Sequence, residues 1–237
     1  LLVVVSLLAF YTAYDKEAKT LAPEKLVKVL SFEEPGNSLR ELNKVAALAA
    51  IGLVSVALAL GPLTRLFPKT FCPYLYFRKP LGLTGFAFAA AHSAFSLADY
   101  YKLDVTRMLY NNPKIVGFVA AVLSLVILLA MSIASTKSAV ERMGYPKWKA
   151  LQTLGYAALL LAVIHFYVLE TDAVKGFAVR PYGMLFFWLA IAALALRLYI
   201  LWKGAPQKTS YEEHLSCPLP QDAQQPQPKT CLNKRSF

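Results

Sequence analysis

Six apolar blocks divide most of this 237-residue chain, at residues 1–14, 45–67, 81–103, 115–136, 148–169 and 182–202. All but the first are close to 20 residues long, and a helix rising about 1.5 Å per residue needs roughly that length to cross a hydrocarbon layer of about 30 Å. Lipid offers no hydrogen bonds, so a block that spans it must satisfy its own backbone, and a helix does so within one segment. The expected fold class is therefore all-α, a polytopic membrane helical bundle of about six transmembrane helices. The first block is short and starts without methionine; it reads as a helix entered part-way rather than a signal peptide, because a basic n-region and a small-residue cleavage site are missing.

Composition agrees. Hydrophobic residues make up 57% of the chain and charged ones only 16%, against about 25% charged in ordinary soluble domains. Pro68, Pro80, Pro113, Pro146 and Pro181 sit beside block edges, where a missing backbone donor does little harm. Trp148, Trp202, Tyr100, Tyr101 and Tyr182 lie near the ends, as interfacial aromatics do. Residues 1–203 read as one membrane domain. From 204 to 237 the composition turns to Pro, Gln, Lys and Ser, which cannot bury enough apolar surface to fold alone, so a disordered or partner-bound cytoplasmic tail is expected.

The net charge of +11 does not point to nucleic acid, since no basic stripe interleaved with aromatics and no nucleic-acid motif is present. Loop topology and anionic lipid account for it better. The loop between the second and third blocks carries Lys69, Arg78 and Lys79 with Arg65 at its border, and the loop between the fourth and fifth carries Lys137, Arg142, Lys147 and Lys149 against Glu141. The loops on the other side are closer to balanced. The positive-inside rule then puts both termini in the cytoplasm, with a plasma (inner) membrane as the expected location. Cys72, Cys217 and Cys231 have neither the spacing of a disulfide framework nor that of a zinc site, and free thiols are expected on the cytoplasmic side.

Ionisable residues at membrane depth are costly, and they mark function by default. His92 lies well inside the third block and His165 inside the fifth. Those two helices run in the same direction, and counting from their basic and acidic edges places both imidazoles at similar depth in the outer half of the bilayer, within roughly 5 Å of each other along the normal. Two neutral imidazoles facing across a gap are the ligands of a six-coordinate b-type haem, which carries electrons because no coordination position remains for substrate. Phe88, Ser96 and Leu161 lie on the same helix faces as candidate pocket residues, and Arg107 and Arg180 in the outer loops as candidate propionate partners. The competing reading is that each histidine only hydrogen-bonds a neighbouring helix, for instance through Ser93 or Ser96. Zinc, di-iron and proton-pumping sites lack the mid-membrane carboxylate they need, since Asp99 and Glu170 sit at helix edges.

Around these residues the chain resembles the ferric reductase-like transmembrane family, and within it the haem-binding subunits of methionine sulfoxide reductase systems. The resemblance lies in Arg78-Lys79-Pro80-Leu81-Gly82-Leu83, Phe86, His92, Ser135-Thr136, Gly144, Trp148, Leu151, Tyr156 and Ile164-His165, and covers about half of the chain. It implies six helices, b-type haem on histidines of the third and fifth helices at His92 and His165, and electron transfer from a cytoplasmic flavin or nicotinamide source. A further family histidine, 13 residues before His165, is here Gln152. Glutamine is a poor haem ligand, so one haem b is expected rather than two. No nucleotide-binding glycine fingerprint is present, which places any flavin domain on another chain.

The leading expectation is a membrane cytochrome b subunit that passes electrons from a cytoplasmic-side donor, a quinol or flavin, to a redox partner protein on the outer side. The alternative is a structural or docking subunit of a larger membrane complex that keeps the fold, motivated by Gln152 and the basic, proline-rich tail. A transporter comes third, because discontinuous helices and inverted repeats are not evident.

Overall fold

The computed structural model describes residues 35–110, 112–172 and 181–204, with short pieces at 14–15, 20–21 and 176–177. Among the described residues five helical spans are long and apolar enough to cross a membrane: Leu39–Leu66, Pro68–Tyr100, Ile115–Ile133, Tyr145–Glu170 and Gly183–Trp202. The protein is an integral membrane helical bundle. The five longer apolar blocks of the sequence coincide with these spans; residues 1–13 of the first block, Arg180 and the tail beyond Gly204 lie outside the described residues.

In chain order the helices are α1 (Pro35–Leu66), α2 (Pro68–Phe71), α3 (Arg78–Phe95), α4 (Val105–Leu109), α5 (Ile115–Ile133), α6 (Lys137–Met143), α7 (Tyr145–Thr153), α8 (Gly155–Glu170) and α9 (Pro181–Trp202). A tight helical stretch, Cys72–Phe77, joins α2 to α3. Two-residue antiparallel pairs, Tyr14–Asp15 with Thr20–Leu21 and Thr171–Asp172 with Gly176–Phe177, are the only extended pairings among the described residues. Just after α3 the chain widens by one residue per turn, with the Tyr101 N–H donating to the Ser96 carbonyl. Such wide turns recur at functional sites.

Helix α1 is the axis of the bundle. It begins about ten residues before its apolar block and is buried along most of its length, with α3 and α9 packed on it and α5 paired with α8. The core joins Ile51, Val54 and Leu58 of α1 to Leu159 and Val163 of α8 and Phe186, Ala190 and Ala193 of α9. Four of the six alanines of α1 (Ala46, Ala49, Ala50 and Ala57) are buried; small side chains let neighbouring backbones approach, which is how helices associate where lipid supplies no hydrophobic drive.

Helix α5 shows the same logic from the lipid side. Val116, Val119, Leu123, Val126, Leu129 and Ile133 form an exposed apolar stripe, while Gly117, Ala120 and Ser124 face inward. The Ser124 hydroxyl donates to the Ala158 carbonyl at 2.9 Å and ties α5 to α8. Within α1, Pro62 has no N–H to give the Leu58 carbonyl one turn earlier. The Tyr156 hydroxyl of α8 donates to that carbonyl at 2.9 Å, so a neighbouring helix satisfies the group that proline frees.

Cys72 is disulfide-bonded, which corrects the expectation of free thiols.

Candidate functional site

The chain's direction alternates from span to span, so the start of α1, the end of α3, the end of α8 and the start of α9 meet at one end of the bundle. His92 sits in the last turn of α3 and His165 in α8 near its end. Their ring centres lie 6.2 Å apart, with the planes at 67°.

Each imidazole is held from behind. His92 Nδ1 is 2.7 Å from Asn43 Oδ1 and 3.2 Å from the Asn43 carbonyl on α1. His165 Nδ1 is 2.9 Å from the Gly117 carbonyl on α5. A backbone carbonyl only accepts, so both Nδ1 atoms carry the hydrogen and donate it, which leaves each Nε2 with its lone pair. Neither Nε2 has a hydrogen-bond partner among the described residues.

The close approaches behind these bonds depend on two glycines. A Cβ on Gly85 of α3 would lie 2.8 Å from Val54 Cγ2 and 3.2 Å from the Val54 nitrogen, so only glycine lets α3 press against α1 at this crossing. A Cβ on Gly117 would lie 3.0 Å from Val168 Cγ1; its absence brings the Gly117 carbonyl within reach of His165.

A cavity of about 360 Å³ opens beside the two rings. Its walls are mostly apolar, and six alanines line it between larger side chains: Ala47 and Ala50 of α1, Ala89 of α3, Ala121 of α5, and Ala158 and Ala162 of α8. Asn43, Lys44 and Glu170 line its outer end. The cavity takes in His92 and His165, but Phe88, Leu161 and Ser96 do not line it. Ser96 instead accepts a hydrogen bond from Asn43 Nδ2 at 3.0 Å. The Arg107 guanidinium lies 5.4 Å from the centre of the Tyr100 ring, away from the cavity. Asn43 was missed from sequence: it precedes the apolar block of α1, and nothing local marks it as pointing at a histidine 49 residues later.

This donor set fits a haem. Two imidazoles bound to one metal at about 2 Å per bond, with about 1.1 Å more from nitrogen to ring centre, have ring centres about 6 Å apart, and the observed separation is 6.2 Å. Metal-binding histidines donate their second nitrogen to a carbonyl or carboxylate, which fixes tautomer and orientation; both histidines do so here. The alanine-rich walls leave room for a flat, apolar body.

A second cavity, of about 420 Å³, lies toward the opposite end of the bundle. Val54 and Leu128 line both cavities and form the layer between them. Its lining carries Arg65, Arg78, Lys79, Lys149 and Arg197, the aromatics Tyr76, Trp148 and Tyr156, and Gln152, with no carboxylate among the described residues. Arg197 stacks over the Tyr156 ring at 5.1 Å. Histidine is absent from this lining among the described residues.

The sequence matches the family described as ferric reductase like transmembrane component over residues 46–169, just over half of the chain. Among curated proteins it is similar to the protein-methionine-sulfoxide reductase heme-binding subunit MsrQ of Rhizobium meliloti, 27% identical over 69% of this chain and 71% of the relative. The MsrQ of Caulobacter vibrioides is 30% identical over 71% of this chain and 75% of the relative, and that of Xanthomonas euvesicatoria pv. vesicatoria is 33% identical over 57% and 61%. The matched region takes in α3, α5, α7 and most of α1 and α8, hence both histidines and the helices that hold them: the chain belongs to the ferric reductase-like transmembrane family.

Proposed function

We propose that the protein is a membrane b-type cytochrome subunit that carries electrons across the bilayer, with one haem b held by His92 and His165. The observation that carries this reading is the facing pair of imidazoles, 6.2 Å apart, each with its Nδ1–H already donated and its Nε2 turned to no other partner. When bound, such a haem supplies one-electron transfer with no open coordination position. The chain supplies the ligands, their tautomers, and an alanine-lined slot that keeps water and substrate from the metal. Of the two basic residues, Lys44 rather than Arg107 lines the cavity, with its ammonium paired to Glu41.

The inner cavity suits the head of a flavin or quinone donor. Its aromatic and basic lining matches a planar carrier with polar or anionic substituents, and Gln152 in place of a histidine argues for a single haem. The relatives are named as heme-binding subunits of a protein-methionine-sulfoxide reductase; carried to this chain, that name makes the partner a catalytic component that reduces methionine sulfoxide on the outer side.

The test is a reduced-minus-oxidised spectrum of the purified protein with a haem-to-protein ratio. The expected result is a b-type spectrum at one haem per chain, lost in His92→Ala and in His165→Ala while helicity is kept. Haem that survives both substitutions refutes the ligand assignment. A folded, haem-free wild-type protein that still captures a membrane partner would favour a docking subunit instead.

A further inference from the structure

The two histidines are held differently. The partner of His165 is the backbone carbonyl of Gly117, which no substitution removes. That of His92 is chiefly a side chain: Asn43 Oδ1 lies at 2.7 Å, with the carbonyl of the same residue at 3.2 Å. The amide is itself anchored, because its Nδ2 donates to Ser96 Oγ at 3.0 Å. Ser96 lies one helical turn beyond His92, where the wide turn that follows α3 begins, so Asn43 on α1 bridges the last turn of α3 and the turn after it. One turn nearer the start of α1, Arg40 pairs with Asp99 at 3.3 Å and extends the same polar seam.

We infer that Asn43 is a positioning residue for His92 that sets both its ring orientation and the redox potential of the bound group. The inference rests on the haem reading above. An acceptor on Nδ1–H pushes electron density through the ring to Nε2 and raises the basicity of the ligand. A more basic ligand favours the oxidised, more positive iron, so a stronger acceptor lowers the potential and a weaker one raises it. Among the described residues, Asn43 is the one side chain through which this chain adjusts either axial imidazole.

The experiment compares Asn43→Leu, Asn43→Asp and Ser96→Ala in the full-length protein in detergent. It measures midpoint potential by spectroelectrochemistry, haem loss to apomyoglobin, and the low-spin electron paramagnetic resonance signal, whose shape reports the angle between the two ring planes. Asn43→Leu keeps only the 3.2 Å carbonyl contact. It should raise the potential, alter the low-spin signal and speed haem loss about 10- to 100-fold. Asn43→Asp offers a charged acceptor and should shift the potential the opposite way. Ser96→Ala frees the amide without removing it, and gives a smaller shift in the direction of the leucine variant.

Shifts of the same sign in Asn43→Leu and Asn43→Asp overturn the inference, since mere disturbance would produce them. Unmoved potential, signal and haem-loss rate in Asn43→Leu overturn it as well. Should the aspartate variant fail to insert, the leucine and serine-site variants decide alone. Failure of the haem reading is separable: it appears as haem that His92→Ala does not release, whereas His92-dependent haem with an unmoved Asn43→Leu sinks this inference only.

Discussion

Pro62 and Tyr156 form a pair that a double-mutant cycle can isolate. Pro62 removes the N–H that would bond the Leu58 carbonyl, Leu58 is buried at 4% exposure, and the Tyr156 hydroxyl donates to that carbonyl at 2.9 Å. Tyr156→Phe deletes the donor, while the ring and its place beneath Arg197 remain. An unsatisfied buried acceptor costs about 1–3 kcal/mol, whereas hydrogen bonds between membrane helices average about 0.6 and reach about 1.7 kcal/mol, because the unfolded state in lipid finds other partners. This carbonyl has lost its regular intrahelical donor, so the cost belongs near the upper end, at about 1–2 kcal/mol. In a Pro62→Ala background residue 62 again has an N–H, and Tyr156→Phe should then cost less than about 0.5 kcal/mol. The assay is unfolding in mixed micelles of rising sodium dodecyl sulfate, followed by far-ultraviolet circular dichroism for the four proteins of the cycle. An equal cost of Tyr156→Phe in both backgrounds would refute the reasoning, because the hydroxyl would then be doing something unrelated to the proline.

Two further outcomes follow from packing around the histidines. Gly85→Ala places a methyl 3.2 Å from the Val54 nitrogen, whereas at Gly82 on the same helix nothing lies within 4 Å; both gain the same helix propensity, so the alanine at 85 should be less stable than the one at 82 by about 1–3 kcal/mol, read from their unfolding midpoints. Lys114 donates to the Leu169 and Thr171 carbonyls at the end of α8, and Lys114→Met should cost about 0.5–1 kcal/mol and speed amide exchange in that last turn without loosening α1, as hydrogen-exchange mass spectrometry would report.

The spans were legible because the apolar blocks are long and their edges carry proline and aromatics, and period and length are local properties. His92 and His165 stood out because ionisable residues inside apolar blocks are rare. The histidines' partners were not legible. Asn43 lies outside the apolar block of α1, and Gly117 takes part through its backbone, which has no sequence signature. Ser96 lay on the expected face, yet the fold uses it to hold an amide. The central place of α1 was hidden too: its hydropathy resembles that of the lipid-facing helices, and only the density of alanine at 46, 47, 49 and 50 hints that other helices close in on it. The inner cavity needed the fold, since its basic lining comes from α1, α3, α7 and α9.

Orientation is where two observations pull apart. The end of the bundle that holds the inner cavity also carries Arg65, Lys69, Arg78, Lys79, Lys147 and Lys149, while Asp99 and Glu170 lie at the histidine end. Charge bias of this kind in short loops places the basic end in the cytoplasm. Against it stands the disulfide at Cys72, at that same end, because cytoplasmic thiols are normally kept reduced. Insertion is decided by the loop lysines and arginines as the chain enters the membrane, before any disulfide forms, so the charge bias carries more weight. A reporter that fluoresces only in the cytoplasm, fused after Lys203, should therefore be bright. One active only outside, fused at the same place, should be silent. The reverse pattern would turn the protein over, put the histidine pair in the inner half of the bilayer, and move the proposed donor site to the outer face.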